Sequence, residues 1–290
     1  MPSHPTIPFS VVIPAFNEER GIVPTLRELR AVLNGLEYEL LVVDDGSRDR
    51  TAELARAEGV TVVQQPVNRG YGAALKTGIR RAKHDVIVIT DADGTYPASA
   101  IPGLVAGCET YEMVVGARVG ANVAIPLARR PAKWVLGKLA SYLAGRAIPD
   151  LNSGLRAMRR ELVARYEHLL PSGFSFTTTI TLSALCRDHL VRFDAIDYRA
   201  REGESKIRPR HAYDFFLLIL RTIVYFNPLK IFLPVGAAFF LAGLAKFAYD
   251  VTRENLSESA IFAFITGFLV WGLGLLSDQL SRIASRGGNP

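Results

Sequence analysis

Short apolar runs alternate with helical segments through roughly the first 120 of the 290 residues. The runs are rich in Val and Ile, whereas the segments between them place apolar residues three and four positions apart. Continuous β-branched strands separated by helices are typical of a parallel sheet covered on both faces. The pattern predicts an α/β domain with strands at 9–13, 38–43, 60–64, 86–90 and 113–117 and helices at 21–33, 51–58 and 71–82.

The region from about 120 to 210 is less regular. Its pattern predicts helices at 127–146 and 176–187 and strands at 155–158 and 191–198. No internal repeat or low-complexity segment interrupts it.

Two apolar stretches near the C-terminus, 229–249 and 260–277, each approach the length that crosses a bilayer. Lys230 and Lys246 lie near the ends of the first stretch, where their ammonium groups can reach water. The preceding segment, 211–227, is apolar with few polar residues and predicts an amphipathic helix in the membrane interface. The alternative is a pair of buried helices in a soluble protein.

The distribution of positive charge predicts the orientation of these stretches. Lys and Arg are enriched on the two outer flanks rather than in the connecting loop, so we expect both flanks on the cytoplasmic side. Residues 1–8 are polar and Pro-rich, unlike a secretory signal. We therefore expect an integral membrane protein with a cytoplasmic catalytic domain at 1–210, an interfacial helix at 211–227 and a transmembrane hairpin with a cytoplasmic tail at 228–290.

The formal net charge of +6 favours anionic partners such as phosphorylated substrates or lipids. No nucleic-acid-binding motif accompanies it, so we do not expect a nucleic-acid partner. Cys108 and Cys186 lack the spacing of a zinc site or a disulfide framework.

Polar loops follow three of the predicted strands, and open α/β sheets bind ligands at that edge. The most informative of these loops is 91–94. In it, Asp91 and Asp93 are separated by one residue and directly follow a buried strand. Carboxylates suit Mg²⁺ or Mn²⁺, and Mg²⁺ commonly combines one or two of them with substrate phosphates. Asp91 and Asp93 are therefore the candidate ligands of a divalent cation, although such a triplet can also be a solvated turn.

The other polar loops are candidates for a nucleotide site. After the second strand, Asp45 can reach a nucleotide or belong to a capping turn, and Asp49 can cap the next helix. Lys76 is either a surface lysine or a nucleotide contact, one turn into a helix with a Gly-rich start. The candidate donor-binding residues are Pro14, Ala15, Asn17, Glu18, Asp45, Lys76 and Asp91.

Four motifs in this order resemble glycosyltransferase family 2: SVVIPAFNEE, VVDDGSRDRT, NRGYGAALKTGI and TDADG, between residues 10 and 94. The resemblance implies a GT-A, Rossmann-like fold and a nucleotide-sugar donor. It also implies inversion at the anomeric carbon.

The second half resembles dolichol-phosphate mannose synthases and bacterial polyprenyl-phosphate glucosyltransferases. The matching segments are DLNSGLR at 150–156 and REGESK at 201–206, followed by the interfacial helix and the hairpin. This resemblance implies transfer of one hexose from a UDP-glucose or GDP-mannose type donor to a polyprenyl phosphate at the cytoplasmic membrane face. The candidate acceptor-phosphate residues are Arg118, Arg129, Arg201, Ser205 and Lys206, with Arg156 also a candidate; the candidate catalytic residues are Asp93, Asp150 and Arg156.

Two departures from the family pattern bear on the reaction. Thr95 stands where many mannose synthases have a Gln near the metal, and no Q-x-x-R-W motif is present, which favours a single transfer over polymerisation. Asp150 either orients an arginine or acts as a base. The alternatives are a family member with another lipid or glycan acceptor and a non-catalytic membrane scaffold; a homo-oligomer is compatible with each.

Overall fold

The computed structural model describes residues 5–119, 137–142, 144–173, 175–199, 210–253 and 257–286. Within these ranges, seven strands form one sheet in the order β3-β2-β1-β4-β6-β5-β7. The strands are β1 Phe9–Ala15, β2 Tyr38–Asp44, β3 Thr61–Gln64, β4 Val86–Ile89, β5 Met113–Ala117, β6 Arg156–Arg159 and β7 Val191–Ala195.

All neighbouring strands are parallel except β6, which runs antiparallel between β4 and β5. The mostly parallel α/β sheet expected from the sequence is therefore confirmed. Arg156, the first residue of β6, pairs with Ile89 at the end of β4 and with Val115 in β5. Because β6 runs antiparallel to β4, the segment that precedes β6, 150–155, lies at the edge of the sheet where β4 ends.

Helices connect the strands and continue the chain towards its C-terminus. Of the predicted helix 127–146, residues 137–142 are helical, and most of the remainder lies outside the described residues. Short 3₁₀ turns occupy Ala98–Ala100 and Glu167–Leu169. The α-helices are α1 Ile22–Leu33, α2 Thr51–Ala57, α3 Tyr71–Arg81, α4 Ile101–Gly107, α5 Arg160–Tyr166, α6 Phe176–Cys186, α7 Arg210–Phe226, α8 Leu229–Thr252 and α9 Glu258–Arg286.

Helices α4 and α5 were not expected from the sequence. The α4 segment contains Pro102 and Gly103, which have low helix propensity. Its Ile101, Leu104 and Val105 side chains are buried in the core of the sheet domain. Tertiary packing therefore stabilises a helix that local preference alone does not predict.

Strand β1 lies at the centre of the core, and all seven of its residues are buried. Helix α1 covers it with Ile22, Leu26, Leu29 and Leu33, which are the apolar positions predicted for that helix. Burial on both faces explains why the strands read as continuous apolar runs.

The chain divides into two compact units, Met1–Leu218 and Ile219–Pro290. In the second unit, α8 and α9 approach each other closely at small residues: a Cβ at Gly243 would lie 3.2 Å from the Cβ of Ala263. Trp271 Nε1 donates a hydrogen bond of 3.0 Å to the carbonyl oxygen of Leu233. Small residues that allow helices to approach, combined with an interhelical hydrogen bond, are typical of helix packing in membranes.

Helices α8 and α9 are long and apolar enough to cross a membrane over Leu229–Thr252 and Glu258–Ile283. In their most apolar windows, 11% and 17% of the residues are buried, so most apolar side chains face outward. A pair of core helices in a soluble protein would bury far more, which argues against that alternative. The expected limits of the three domains remain a prediction.

Candidate active site

The loop after β4 presents Asp91 and Asp93, both partly exposed, at the carboxyl edge of the sheet. The Tyr71 hydroxyl donates to Asp91 Oδ1 at 3.0 Å. The backbone N–H and the hydroxyl of Thr95 donate to Asp93 Oδ1 at 3.1 and 2.7 Å. Each carboxylate is thus oriented by a neighbouring hydroxyl group.

Two glycines allow other chain segments to reach this loop. A Cβ at Gly154 would lie 2.9 Å from Asp91 Oδ2, and a Cβ at Gly21 would lie 2.7 Å from the carbonyl oxygen of Ala92. Thr25, in α1, donates to the same carbonyl oxygen at 3.0 Å. The segments after β1, after β4 and before β6 therefore meet at the Asp91–Asp93 loop.

Two tyrosine hydroxyls lie beside Asp91. Burial, followed by the charge of Asp91, raises the pKa of Tyr71 well above its ordinary value. The same two effects raise the pKa of Tyr96, whose hydroxyl oxygen accepts the Gly154 N–H at 2.6 Å. Both phenols are therefore neutral at physiological pH, so that the Tyr71 hydroxyl remains a hydrogen-bond donor.

The residues present fit a divalent cation. A carboxylate offers about four acceptor positions, so Asp91 and Asp93 can each accept a hydrogen bond and also coordinate a metal. No group of three or more His, Cys, Asp or Glu residues that could hold a metal occurs in the described part of the chain. A site built on Asp91 and Asp93 alone takes its remaining ligands from water and from phosphate oxygens.

Asp45 is almost completely buried and supports a neighbouring loop. Its two carboxylate oxygens accept the backbone N–H groups of Arg69 and Gly70, each at 2.8 Å. Asp49 accepts the N–H of Thr51, the first residue of α2, at 3.0 Å, as expected for a capping turn. A nucleotide contact by Asp45 remains a prediction.

The loop after β1 is joined to the loop after β2. Asn17, in the left-handed region at φ 54°, accepts the Arg48 N–H at 2.9 Å, and the Glu18 N–H donates to the Thr51 hydroxyl at 2.8 Å. Pro14 and Ala15 are the last two residues of β1. These contacts bring the predicted donor-binding residues of the first loop beside the second one.

A cleft of about 570 Å³ lies at the carboxyl ends of β1, β2 and β3. None of its residues was a candidate donor-binding residue, although Phe16, residues 46–48 and Asn68 belong to three of the motifs given above. Residues 64–67 belong to no motif, and their position at the end of a predicted strand was the available signal. The lining residues are Phe16, Gly46, Ser47, Arg48, Gln64, Gln65, Pro66, Val67 and Asn68.

Arg118 and Asp150 form a two-pronged ion pair in which Nε and Nη2 donate to the two carboxylate oxygens at 2.7 and 3.0 Å. Burial favours the neutral guanidinium, but the hydrogen bonds and charge of Asp150 outweigh it and raise the pKa of Arg118. The guanidinium also lies over the Tyr198 ring. Of the two roles considered for Asp150, this geometry favours orienting an arginine.

Arg156 differs from its expected role. Its side chain is fully buried and donates to the Thr177 carbonyl oxygen at 3.0 Å and to the Thr181 hydroxyl at 2.8 Å. Burial lowers its pKa to about 10, so it remains charged at neutral pH. A direct contact with an acceptor phosphate is therefore not supported, because the first position of β6 turns this side chain towards α6.

Lys76 donates to the Leu170 carbonyl oxygen at 3.0 Å, and it does not line the cleft described above. A nucleotide contact by this residue remains a prediction. The remaining candidates, Arg129, Arg201, Ser205 and Lys206, lie outside the described residues.

Comparison with known families gives two matches that together span most of the chain. Residues 10–167 match the model for glycosyl transferase family 2, and residues 227–283 match the GtrB C-terminal hairpin.

Several curated relatives have transferase names. The dolichyl-phosphate hexose transferase of Haloferax volcanii is 34% identical over 69% of this chain and 86% of its own length. The undecaprenyl-phosphate 4-deoxy-4-formamido-L-arabinose transferase of Pseudomonas fluorescens is 31% identical over 95% of this chain and 85% of its own length.

Among solved structures, glucosyl-3-phosphoglycerate synthase from Mycobacterium tuberculosis, in complex with Mn²⁺, uridine diphosphate and phosphoglyceric acid, aligns with a TM-score of 0.60. It is 26% identical and covers 75% of this chain and 79% of its own. The same enzyme has also been solved with Mg²⁺ and uridine diphosphate. The shared sheet, the family match and the related transferases agree: this chain is a glycosyltransferase and belongs to family 2.

Proposed function

We propose that this protein transfers one hexose from a nucleotide-diphospho-sugar to a polyprenyl phosphate, with inversion at the anomeric carbon. The observation that carries the proposal is the close approach of Gly154 to the Asp91 carboxylate, where a Cβ would lie 2.9 Å from Oδ2. It joins the loop expected to hold the donor diphosphate to the 150–156 segment, which resembles a segment of polyprenyl-phosphate transferases and contains candidate acceptor residues. The names of the relatives support this acceptor class.

The donor site is the carboxyl edge of β1 to β4. The 570 Å³ cleft has room for a nucleoside, and Asp91 and Asp93 would hold Mg²⁺ or Mn²⁺ beside the diphosphate. When bound, such a cation neutralises the charge that develops on the departing nucleoside diphosphate. The related synthase that holds uridine diphosphate with either metal supports this cofactor class.

The chemistry of the acceptor explains why a strong base is not required. A phosphate monoester has a second pKa near about 6, so its oxygen is already an anion at neutral pH. That oxygen forms a bond to the anomeric carbon while the bond from this carbon to the β-phosphate oxygen breaks, and the nucleoside diphosphate leaves with the electron pair. No proton has to move, so the protein contributes positioning and charge stabilisation.

Arg118 is the described residue best suited to the acceptor phosphate. A guanidinium has five N–H donors, and the pair with Asp150 uses two of them. The carboxylate fixes the plane of the guanidinium, and the remaining donors can bind phosphate oxygens in the geometry that arginine favours. Asp150 then acts through Arg118 rather than on the substrate.

The lipid acceptor also accounts for the hairpin. Moving a polyprenyl chain out of the bilayer costs about 0.8 kcal/mol for each exposed CH₂ group, so the enzyme has to work at the membrane. Helices α8 and α9 supply the anchor, and the positive flanks support a cytoplasmic catalytic domain.

The proposal can be tested with membranes that contain the full-length protein. Radiolabelled UDP-glucose and GDP-mannose are each supplied with polyprenyl phosphate and Mn²⁺ or Mg²⁺. We expect a labelled lipid that withstands mild alkali and is cleaved by mild acid, as a sugar linked through a phosphodiester should be. Label in diacylglycerol or in a glycan would instead indicate another acceptor.

Asp93→Ala tests the site assignment in the same assay. We expect the variant to insert into membranes normally and to lose transfer, because one of the two cation ligands is gone. Full activity of this variant would remove the metal assignment.

A further inference from the structure

Tyr71 is the first residue of α3, and its hydroxyl donates to Asp91 Oδ1 at 3.0 Å. We propose that Tyr71 is a positioning residue that sets the orientation of the Asp91 carboxylate for the divalent cation. The inference rests on the proposed function, because it assumes that Asp91 holds the metal.

The backbone on the N-terminal side of Tyr71 is fixed by Asp45. This buried carboxylate accepts the N–H groups of Arg69 and Gly70, the two residues immediately before Tyr71. Gly70 adopts φ 97°, a conformation that L side chains rarely take. These contacts therefore fix the backbone conformation of the turn that leads into α3, and they tie this turn to the residue that follows β2.

The backbone on the other side is fixed by the 171–173 segment. Ala73 donates its N–H to the Ser172 carbonyl oxygen at 3.0 Å, and a Cβ at Gly70 would lie 2.5 Å from the same oxygen. The start of α3 is thus held between β2 and this segment. A rigid aromatic side chain that leaves such a fixed point can place its hydroxyl accurately, because it has two rotatable bonds.

Asp91 is restricted from its other side by Gly154. The Gly154 position lies close to both carboxylate oxygens, at 2.9 and 3.1 Å from where a Cβ would be. The hydroxyl of Tyr71 on Oδ1 and the backbone at Gly154 leave the carboxylate little rotational freedom. Ligating carboxylates that are themselves hydrogen-bonded bind their metal more tightly, and loss of the supporting group typically costs about 10- to 100-fold in affinity.

The network also gives Asp45 a role that differs from nucleotide recognition. Asp45 holds Gly70, Gly70 precedes Tyr71, and Tyr71 binds Asp91, so the loop after β2 is connected to the loop after β4. Two motifs that lie more than forty positions apart in the sequence form one hydrogen-bonded unit.

Tyr71→Phe removes the hydroxyl and keeps the ring. Mn²⁺ is titrated into full-length protein in detergent with saturating uridine diphosphate and, in a second series, with guanosine diphosphate. Free Mn²⁺ is measured by electron paramagnetic resonance. We expect Mn²⁺ affinity to fall by about 10-fold or more. In the transfer assay, we expect the Mn²⁺ concentration for half-maximal activity to rise while kcat at saturating Mn²⁺ stays within a few-fold of wild type.

Tyr38→Phe is the matched control. Tyr38 begins β2, at the opposite edge of the sheet from Asp91, and its ring packs against Phe9. We expect this variant to bind Mn²⁺ as the wild type does.

Three results would overturn the inference. Unchanged Mn²⁺ affinity in Tyr71→Phe, with or without a lower Tm, would identify the hydrogen bond as purely structural and leave the proposed function intact. Aggregation of Tyr71→Phe would assign the hydroxyl to folding. A wild-type protein that binds no Mn²⁺ with uridine or guanosine diphosphate would remove the metal assignment and this inference together.

Discussion

Asp150 accepts three hydrogen bonds from Arg118: one from Nε at 2.7 Å, one from Nη2 at 3.0 Å and one from the backbone N–H at 3.1 Å. The Asp150 side chain is 2% exposed and that of Arg118 is 18% exposed, so solvent screens the pair only weakly. The segment before β6 is thereby joined to the end of β5 at the edge of the sheet that holds the candidate site.

Asp150→Asn should weaken use of the lipid acceptor. An amide can accept on one side only and carries no charge, so Arg118 loses both its orientation and its counter-charge. We expect the KM for polyprenyl phosphate to rise about 10-fold or more and stability to fall by about 3 kcal/mol. Initial rates at varied acceptor, with calorimetry to show unchanged uridine or guanosine diphosphate binding, test this.

Glu161→Gln is a suitable comparison for that variant, since its pair with Arg165 is exposed on α5. We expect its KM to equal that of the wild type. An unaltered acceptor KM in Asp150→Asn would show that Arg118 does not bind the acceptor.

Thr95→Val should reduce metal-dependent activity. The Thr95 side chain is buried, and Val fills the same volume but cannot donate to Asp93 Oδ1. Loss of a hydrogen bond to a charged group is worth about 1.5 to 3 kcal/mol. The Mn²⁺ concentration that gives half-maximal activity should therefore rise about tenfold, whereas Thr95→Ser should behave as wild type; equal values for Val and Ser would contradict the role of the hydroxyl.

Gly154→Ala should strongly reduce transfer without unfolding the protein. The new methyl group would lie 2.9 Å from Asp91 Oδ2 and 3.1 Å from a ring carbon of Tyr96, so the carboxylate has to move. We expect kcat/KM to fall by more than about 10-fold, since misplacement of a site residue by about 1 Å can cost 100-fold. Gly103→Ala, in α4 with open space around the new methyl group, is the control and should retain full activity.

Gly236→Ala should loosen the C-terminal hairpin. A Cβ at this position would collide with the Trp271 ring and lie 3.0 Å from the Gly267 carbonyl oxygen. Overpacking of this kind costs about 1 to 3 kcal/mol. We expect a lower Tm in detergent than for Gly272→Ala, where no atom lies within 4 Å of the new Cβ; equal Tm values would show that the helices do not pack along Gly236.

Glu28→Gln should reveal an acid-sensitive contribution to stability. The hydrogen bonds of Arg199, at 2.7 and 3.0 Å, lower the pKa of Glu28 below its ordinary value of 4.5. A depressed pKa in the folded state gives stability that is present above pH 4.5 and is lost as the pH falls through the folded-state pKa.

Because the Glu28–Arg199 pair is partly exposed, its contribution is less than about 1 kcal/mol. The difference in Tm between wild type and Glu28→Gln should be visible at pH 7 and should shrink below pH 4.5. Glu53→Gln, which removes a more exposed pair with Arg50, is the control and should leave Tm at pH 7 close to that of the wild type. A difference that stays constant with pH would contradict the ion-pair explanation.

The sequence alone was enough to predict the sheet domain and the loops that carry chemistry. Period and composition placed β5 at 113–117 and α1 within one residue of its observed start, because burial on both faces leaves a local signal in the chain. The positions of Asp91 and Asp93 followed from the same logic, since a polar pair directly after a buried strand has to lie at the edge of the sheet. The two C-terminal membrane spans were also predictable from local sequence, because their length and lack of charge identify them.

The partners of each side chain depended on tertiary structure. Arg156 was a candidate for a phosphate and is buried against α6. Lys76 was either a surface lysine or a nucleotide contact, and its bond to the Leu170 carbonyl oxygen was not foreseen. Tyr71 was not a candidate, although its hydroxyl binds Asp91. These contacts join residues 20 to 94 positions apart in the chain, and the register of β6 between β4 and β5 sets where its neighbours lie. Local sequence determines which residues form strands and loops, but only the packing of distant segments decides which polar groups meet, because a hydrogen bond requires its two partners to be placed within a few tenths of an ångström.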